Sequence, residues 1–503
     1  MKGGEPVAVV AGLVGCGGAG YVLSGLPGAV VGLLVGAIAL VIPYRGARLW
    51  RWLFQYLRRN RAYRFGEPVT VVNDRHSGGV RYQSGVAVAV VQLLGRPHRC
   101  TQLIGSSVGE TTDVLDIASI LEMVPQWAGF AADSISLVSS GIRRSSSGDY
   151  SGVYETLLGA VPYAGQRENW LILRFNALDN GQALACRTSI GSATLAAAQR
   201  TAMALRCKGI RARVGSAGDI RELERRLGSV GLERRNRHWH TLRSDQGWLT
   251  TYAYRTTTWD PGLLESTWAI RADGVVQNVT VFPDGSACVS VTVRTAQSPT
   301  VVPAVSLQSL PGEQPAALAN SLGGPRRALF GQGRSPLPFS LPVSLGPSGV
   351  LLGRTASGSR LLLPLTDPAE PSRIRLAACD AIAKRIIIRA AASGERITIH
   401  SSDIQRWQSV RMCDIAITDQ PRPARGTTIS VTDGTVSPAP RPATVIEVTE
   451  PGESGFGDGD VSITQTGLDS LTVAAAGHLH DVEMDFFRAE NRYALDPFAE
   501  LSG

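Results

Sequence analysis

Residues 105–109 read GSSVG and match the GxSxG pattern of a serine nucleophile at a sharp strand-to-helix turn. Ser107 would be that nucleophile, because the pattern follows a predicted strand over 99–105 and precedes a predicted helix over 111–124. The chain has 55 glycines, so a pattern with two glycines arises easily by chance. No HGGG-type oxyanion segment precedes it in the sequence. The motif is therefore a weak indication of a serine hydrolase.

Two histidine pairs alternate with other residues, at 238–240 (HWH) and at 478–481 (HLHD). A strand would place each pair on one face, where two imidazoles could bind a metal ion. Neither pair has a third ligand at a typical spacing, and surface or core histidines explain them better. No histidine stands out as a base for a hydrolase among the candidates His238, His240, His400, His478 and His480.

Two further catalytic patterns are absent from the sequence. A nucleotide-binding Walker A loop needs GK followed by Ser or Thr, and none of the lysines (Lys2, Lys208, Lys384) follows a glycine. The HExxH pattern of zinc proteases is also missing. The sequence therefore predicts no catalytic residue, no metal site and no cofactor.

The basic character of the chain is confined to its beginning. The formal net charge is +8, and residues 1–64 carry eight basic residues against Glu5. The remaining residues therefore sum to about +1, which does not indicate a nucleic-acid surface. The seven cysteines are scattered and form no CxxC pair, which is typical of reduced thiols in a reducing compartment.

Two uncharged runs, 6–23 and 26–44, have about the length that crosses a membrane. The turn signal between them at 24–28 predicts a two-helix transmembrane hairpin. Arginines follow over 45–64, and positive flanks stay on the cytoplasmic side. We therefore expect a two-pass protein of the bacterial plasma membrane, with its N-terminus and its large C-terminal region in the cytoplasm.

Two groups of residues in this region are predicted to make membrane contacts. Small residues at helical spacing let helices approach closely, and they either pack the two spans together or dock another subunit's helix. These helix-packing residues are Gly12, Gly20, Gly28, Gly32 and Gly36. Arginines and tryptophans together are typical of an interfacial helix that contacts membrane lipids. These membrane-interface residues are Arg45, Arg48, Trp50, Arg51, Trp52, Arg58 and Arg59.

The rest of the chain divides by composition. After the hairpin and its basic helix (1–65), strand and helix patterns alternate over 66–296 and predict a cytosolic α/β domain, with helices at 192–207 and 219–228. Residues 297–347 contain nine prolines and are predicted to be a linker. Residues 348–503 predict a smaller β-rich module, in which 385–400 forms two strands around a turn at Ser393–Gly394.

Several segments resemble the EccE family, a core membrane component of the type VII (ESX) secretion systems of mycobacteria and actinobacteria. They are the double-span hairpin with its arginine-aromatic helix, GGVRYQSGVAVAVVQLLG (78–95), ENWLILRFNA (168–177), GVLLGRTASGSRLLLPLTDP (349–368) and RAAASGERITIH (389–400). The resemblance implies a structural subunit of a membrane complex with EccB, the ATPase EccC and EccD, together with the mycosin protease. The resemblance implies no catalytic residues for this chain.

Two functions remain open at this point. The first is a non-enzymatic scaffold that contributes to the assembly and stability of a secretion machine through its hairpin. The alternative is a membrane-anchored enzyme or ligand-binding regulator that acts through the α/β domain. A deep pocket with convergent polar groups near Ser107 or His238 would favour the alternative.

Overall fold

The structure is a computed structural model. It describes residues 4–41, 43–44, 47–48, 55–56, 63–73, 76–105, 108–126, 129–255, 258–440, 443–452 and 459–494.

Eleven helices have both ends within the described residues, one long and apolar at the N-terminus and the others within a sheet-rich body. They are α1 (Gly4–Val41), α2 (Ala118–Leu121), α3 (Ser151–Leu158), α4 (Gly181–Leu184), α5 (Ile190–Cys207), α6 (Ala217–Arg226), α7 (Pro261–Ser266), α8 (Gln314–Asn320), α9 (Asp380–Ala392), α10 (Ile404–Trp407) and α11 (Asn491–Ala494). Short 3₁₀ turns lie at Ser229–Leu232, Arg234–Asn236, Thr267–Ala269, Gln408–Val410 and Arg488–Glu490.

Most strands are short and lie after residue 68. They are β1 (Pro43–Tyr44), β2 (Ala47–Arg48), β3 (Val69–Asn73), β4 (His76–Gln83), β5 (Val86–Leu94), β6 (Thr101–Ile104), β7 (Val108–Thr111), β8 (Val114–Asp116), β9 (Ser134–Ile142), β10 (Gln166–Asn176), β11 (Arg211–Val214), β12 (Leu242–Ser244), β13 (Gly247–Tyr254), β14 (Gly274–Val281), β15 (Ser286–Thr295), β16 (Leu307–Ser309), β17 (Ser335–Pro336), β18 (Pro342–Ser344), β19 (Val350–Thr355), β20 (Arg360–Leu363), β21 (Ser372–Ala377), β22 (Ile397–His400), β23 (Ile415–Thr418), β24 (Ile429–Thr432), β25 (Thr444–Thr449), β26 (Val461–Gln465), β27 (Ser470–Ala475) and β28 (His478–Glu483).

The first sheet follows the order β12-β13-β15-β14-β9-β10-β5-β4-β3, and β11, β16 and β17 pair with β5, β13 and β15. Its described pairs are antiparallel, as in the register Trp170↔Val138 between β10 and β9. The alternation of strands and helices predicted an α/β domain, whereas this arrangement is α+β. The difference arises because hairpins join β4 to β5 and β14 to β15, and a hairpin makes antiparallel neighbours.

Helices cover both faces of the first sheet. Helix α5 begins at the cap Ser189, which accepts a hydrogen bond from the Ser192 amide, and buries an alanine-rich face with Leu195 against strands β3 to β5. Helix α6 begins with a capping box at Ser216 and packs on the opposite face through Ile220. The helices predicted at 192–207 and 219–228 are thus present within two residues of their expected bounds.

The second sheet follows the order β23-β22-β24-β25-β21-β26-β27-β28-β19-β20-β6-β7. Strands β21 to β26 pair in parallel with one another, and the pairs from β26 to β7 are antiparallel. Helix α9 packs on it through Ile386 and Ile388. The two strands predicted over 385–400 are therefore wrong in their first half, because α9 occupies Asp380–Ala392 and only Ile397–His400 is a strand.

The second sheet combines strands that are far apart in sequence. Strands β6 and β7, over 101–111, extend the second sheet by pairing with β20. The helix predicted over 111–124 is replaced by β8 and the four-residue α2, and β8 pairs with β18.

Residues 297–347 differ from the predicted linker, since they form α8 and three short strands and bury Leu318 completely. The division into domains stays a prediction.

Helix α1 is apolar and largely exposed, and its stretch Gly12–Ile38 is the one candidate membrane span among the described residues. The structure does not show the two-helix hairpin that the sequence predicts, because Gly4–Val41 forms the single element α1. Within α1, however, Ser24 (φ −151°) and Gly25 (φ 69°, ψ −148°) leave the helical conformation, and Pro27 follows inside the helix. A break at this position matches the predicted turn at 24–28.

Candidate functional site

The glycines of α1 bring its two halves into backbone contact. An added Cβ at Gly20 would collide with the carbonyl of Gly28, and one at Gly32 would collide with the carbonyl of Cys16. At Gly36 it would lie 3.2 Å from the Cys16 Cβ. In a straight helix, residues eight positions apart are separated by about 12 Å and residues sixteen positions apart by about 24 Å, so α1 bends sharply at Ser24–Gly25. Contacts this close require residues without a side chain.

A second group of small residues in α1 faces open space. Added Cβ atoms at Gly12, Gly15 and Gly18 would have no neighbour within 4 Å. Large apolar side chains on the same helix are also exposed, with Val14 at 66% and Val22 at 85%. Of the five predicted helix-packing glycines, the structure thus places four in the contact between the halves of α1 and leaves Gly12 on the outer surface. Whether any of them packs another subunit stays a prediction.

The predicted membrane-interface residues lie outside the described residues, with one exception. Arg48 belongs to the two-residue strand β2, and its side chain is not described. The prediction for the others is unchanged: Arg45, Trp50, Arg51, Trp52, Arg58 and Arg59.

Gln55 and Tyr63, near these residues in the chain, contact the body in ways that the sequence did not predict. Gln55 donates a hydrogen bond from Nε2 to Oε1 of Glu313 at 2.9 Å. The Tyr63 ring centre lies 4.7 Å from the guanidinium carbon of Arg237 and 4.6 Å from that of Arg327. Each contact joins residues more than 170 positions apart, so no local pattern could reveal it. The alternation of aromatic and basic residues was the only available signal.

A buried ion pair lies beside this segment. The guanidinium of Arg81 binds the carboxylate of Glu224 through two nitrogens, with Nη2 and Oε2 2.9 Å apart, and Arg81 also donates to the carbonyl of Gly66 at 2.6 Å. The Phe65 ring lies 5.2 Å from the same guanidinium and packs against Gly324. The arm over 63–66 is therefore part of the folded body.

The GxSxG motif does not occupy a strand-to-helix turn. Gly105 has a φ of +61° and follows β6, but residues 108–111 form strand β7, where a nucleophile elbow would have a helix. Ser107 lies outside the described residues. A nucleophile elbow depends on the strand-to-helix geometry to expose its serine, so the structural context of a hydrolase is not met.

The structure gives the predicted histidines different neighbours. The His238 ring is tilted against the Trp248 ring, with ring centres 5.0 Å apart, and the rings of His478 and His480 lie 6.3 Å apart. His400 is buried, and its Nδ1 lies 2.8 Å from the carbonyl oxygen of Gln420. Among the residues that the structure describes, no group of three or more His, Cys, Asp and Glu side chains is placed to hold a metal ion.

A cleft of about 680 Å³ lies where the β6–β7 hairpin and β28 of the second sheet face helix α7. Its lining includes Cys100, Glu265 and His480. Burial raises the pKa of the Cys100 thiol to about 11 and raises the pKa of Glu265, whose Oε1 accepts the Gly109 amide hydrogen at 3.1 Å. Burial and then His478 lower the pKa of His480. The cleft can enclose a ligand, but its thiol is neutral and unreactive at neutral pH.

Known proteins similar to this chain identify its family. Residues 163–254 match the family model described as "Putative type VII ESX secretion system translocon, EccE". The ESX-2 secretion system protein EccE2 of Mycobacterium tuberculosis (strain CDC 1551 / Oshkosh) is 43% identical over 506 residues, which cover 95% of this chain and 94% of that protein. The chain belongs to the EccE family. The resemblance that the sequence predicted is confirmed.

More distant EccE proteins align with a smaller part of this chain. The ESX-1 secretion system protein EccE1 of the same M. tuberculosis strain is 27% identical over 73% of this chain and 75% of its own length. EccE1 of Mycolicibacterium smegmatis (strain ATCC 700084 / mc(2)155) is 26% identical over 74% of this chain and 76% of its own length. The EccE family model spans β10 to β13 and thus contains α5, α6 and the 3₁₀ turns over 229–236.

Proposed function

We propose that this EccE chain is a non-catalytic structural subunit of a type VII (ESX) secretion complex in the bacterial plasma membrane. The observation that carries the proposal is the 43% identity to an ESX-2 secretion system protein over 95% of the chain, which includes the membrane-proximal part as well as the body. The body supports a structural role because its sheets and covering helices form large continuous cores.

The chain crosses the membrane twice in this proposal. The break at Ser24–Gly25 and the close backbone contacts of Gly20 and Gly32 support a hairpin of two spans. The arginines over 45–64 would then hold the following body in the cytoplasm, and the N-terminus would lie on the same side. The exposed apolar surface of α1 supports lipid as its surroundings.

The partners in the proposal are the other ESX membrane components: EccB, the ATPase EccC, EccD and the mycosin protease. The open face of α1 at Gly12, Gly15 and Gly18 supports contact with a helix of another subunit, because small residues allow close approach in lipid. No nucleic-acid partner is proposed, since the body after residue 64 carries almost no net charge.

Secretion in a strain that lacks this chain tests the non-catalytic role. The strain is complemented with the wild type, with the cleft variant Cys100→Ser/Glu265→Gln, or with a chain that lacks residues 1–41. The exported ESX proteins are measured in the culture filtrate, and the membrane level of each variant is measured in parallel. We expect the cleft variant to restore secretion fully and the truncated chain to restore none. A cleft variant at normal level that fails to secrete would contradict the proposal and favour an enzyme or ligand-binding regulator.

A further inference from the structure

We infer that one basic face of the body lies against the membrane and binds anionic lipid headgroups. This basic face consists of Arg234, Arg235, Arg237, Arg243 and Arg327. The inference rests on the membrane anchoring in the proposed function, and it does not depend on membership of a complex.

The chain's path holds the basic face close to the membrane. Thirteen residues separate Val41, the last residue of α1, from Gln55, and a fully extended chain spans at most about 50 Å between these two residues. Pairing of β1 with β2 shortens this link further. Gln55 then bonds to Glu313, and an added Cβ at Gly312 would lie 3.0 Å from the Gln55 Cβ and 2.9 Å from the Trp239 ring. The first described part of the body that the chain meets after the membrane is therefore beside Trp239.

The arm continues directly onto the basic face. Tyr63 lies against both Arg237 and Arg327, with ring-to-guanidinium distances of 4.7 and 4.6 Å. The backbone of the same turn is fixed, since Arg237 Nε donates to the Leu232 carbonyl at 2.7 Å and Asn236 donates to the Val230 carbonyl at 2.8 Å. The turn is thus held in place next to the arm, and its Arg234 and Arg235 are exposed.

Within the part of the chain that the structure describes, the arginines of the basic face have fewer ion-pair partners than the arginines of the neighbouring helix α6. From its sequence, the basic stretch 221–243 is expected to be a salt-bridged helix face, and in α6 Arg225 and Arg226 do pair with Glu222. In the turn that follows, Arg235 pairs with Glu233, with both side chains exposed. Among the described residues, no carboxylate lies within ion-pair distance of Arg234 or Arg243, and both are exposed.

Guanidinium groups beside aromatic rings suit a phospholipid surface. The segment 229–245 has four arginines against two acidic residues, and it contains Trp239. Arginine binds phosphate through paired hydrogen bonds, and tryptophan and tyrosine favour the depth of the headgroups. The arginine-rich segment 45–64 precedes this face in the chain, so both would meet the same leaflet. An acidic surface of a protein partner could bind the same arginines, and that binding would not require lipid.

Hydrogen–deuterium exchange on the full chain in nanodiscs tests the inference. The chain is reconstituted into nanodiscs of phosphatidylcholine alone or of an equal mixture of phosphatidylcholine and phosphatidylglycerol. Exchange of peptides over 229–245 is compared in the wild type, in Arg234→Gln/Arg235→Gln/Arg243→Gln, and in a matched control, Arg411→Gln/Arg422→Gln/Arg425→Gln. The control also removes three exposed arginines, which lie near the edge strand β23 of the second sheet.

We expect exchange of 229–245 to slow by about five-fold or more in the anionic nanodiscs, in the wild type and in the control but not in the first variant. Added salt should restore fast exchange. Equal exchange in both lipids, or slowing that survives the first variant, would overturn the inference. Protection that appears only with other ESX subunits would assign the face to a protein partner instead. A chain that does not enter nanodiscs would disprove the membrane anchoring itself.

Discussion

The ion pair between Arg389 and Glu490 places two fully buried charges between helix α9 and the C-terminal turn. Arg389 donates from Nε and Nη2 to the two oxygens of Glu490 at 2.7 and 2.9 Å, and both side chains are 0% exposed. Tyr150 on the cap of α3 donates to the same carboxylate at 2.5 Å. Glu490 therefore joins three elements, and its charge is needed to compensate that of Arg389.

Glu490→Gln should destabilise the body strongly. It leaves the Arg389 guanidinium buried without a counter-charge, and we expect a loss of about 3–5 kcal/mol in the free energy of unfolding. Denaturant unfolding of the detergent-solubilised chain, followed by tryptophan fluorescence, measures it. Asp485→Asn is the matched control, because its ion pair with Arg354 is partly exposed and should contribute at most about 1 kcal/mol. Equal losses in the two variants would contradict this account.

The Cys100 thiol should resist alkylation at physiological pH. Burial raises its pKa to about 11, so the reactive thiolate is scarce until the pH approaches that value. Iodoacetamide treatment followed by peptide mass spectrometry should leave Cys100 unmodified at pH 8, whereas the exposed Cys186, Cys207 and Cys413 react. Modification of Cys100 should rise only as the pH increases toward 11. Rapid modification at pH 8 would show an ionised thiol in the cleft and would support a catalytic role there.

At the scale of single elements, the two faces of α1 should respond differently to one larger side chain. Leucine at Gly32 would collide with the Cys16 backbone, and overpacking of this kind costs about 1–3 kcal/mol. An added Cβ at Gly12 has no neighbouring atom within 4 Å. We expect Gly32→Leu to lower the membrane level of the chain several-fold and Gly12→Leu to leave it unchanged. Quantitative blotting of membranes measures both, and equal levels would contradict the packing described for α1.

Helix α5 shows how far the sequence could predict elements. Its alanine-rich face repeats at helical spacing, with Leu195 and Leu205 buried and Met203 exposed, and this periodicity identified it within two residues. Helix α9 was missed for the opposite reason. Residues 382–392 are all buried, so the helix has no solvent-exposed face, and the run of Ile386, Ile387 and Ile388 cannot be distinguished from a buried strand by periodicity.

The candidate site was predictable only where its signal is local. The helix break at 24–28 follows from Gly and Pro signals within five residues, and the small residues of α1 follow from a simple spacing. The contacts of Tyr63 with Arg237 and Arg327, and the pairing of β6 with β20, join residues more than 170 positions apart. Such contacts depend on the whole topology, which periodicity does not encode.

At the scale of the whole molecule, the chain combines an apolar anchor with a body whose two sheets are joined by side-chain hydrogen bonds. Arg211 of β11 binds the carboxylate of Asp367 beyond β20 through two hydrogen bonds of 2.8 Å. His98, on the crossing from the first sheet to the second, lies 2.9 Å from the Pro364 carbonyl oxygen. A rigid body of this kind, held near the membrane by its arm, suits a subunit that positions others.

Purification of the tagged chain from its own membranes in a mild detergent tests whether it is a structural subunit of an ESX membrane complex. A native gel and mass spectrometry of the co-migrating proteins measure what it is bound to. We expect the chain to migrate in a complex far larger than its own 53.4 kDa, together with a multi-spanning channel subunit and an ATPase with several nucleotide-binding domains. A chain that migrates alone, while the other ESX subunits form their complex without it, would contradict the claim that it is a structural subunit.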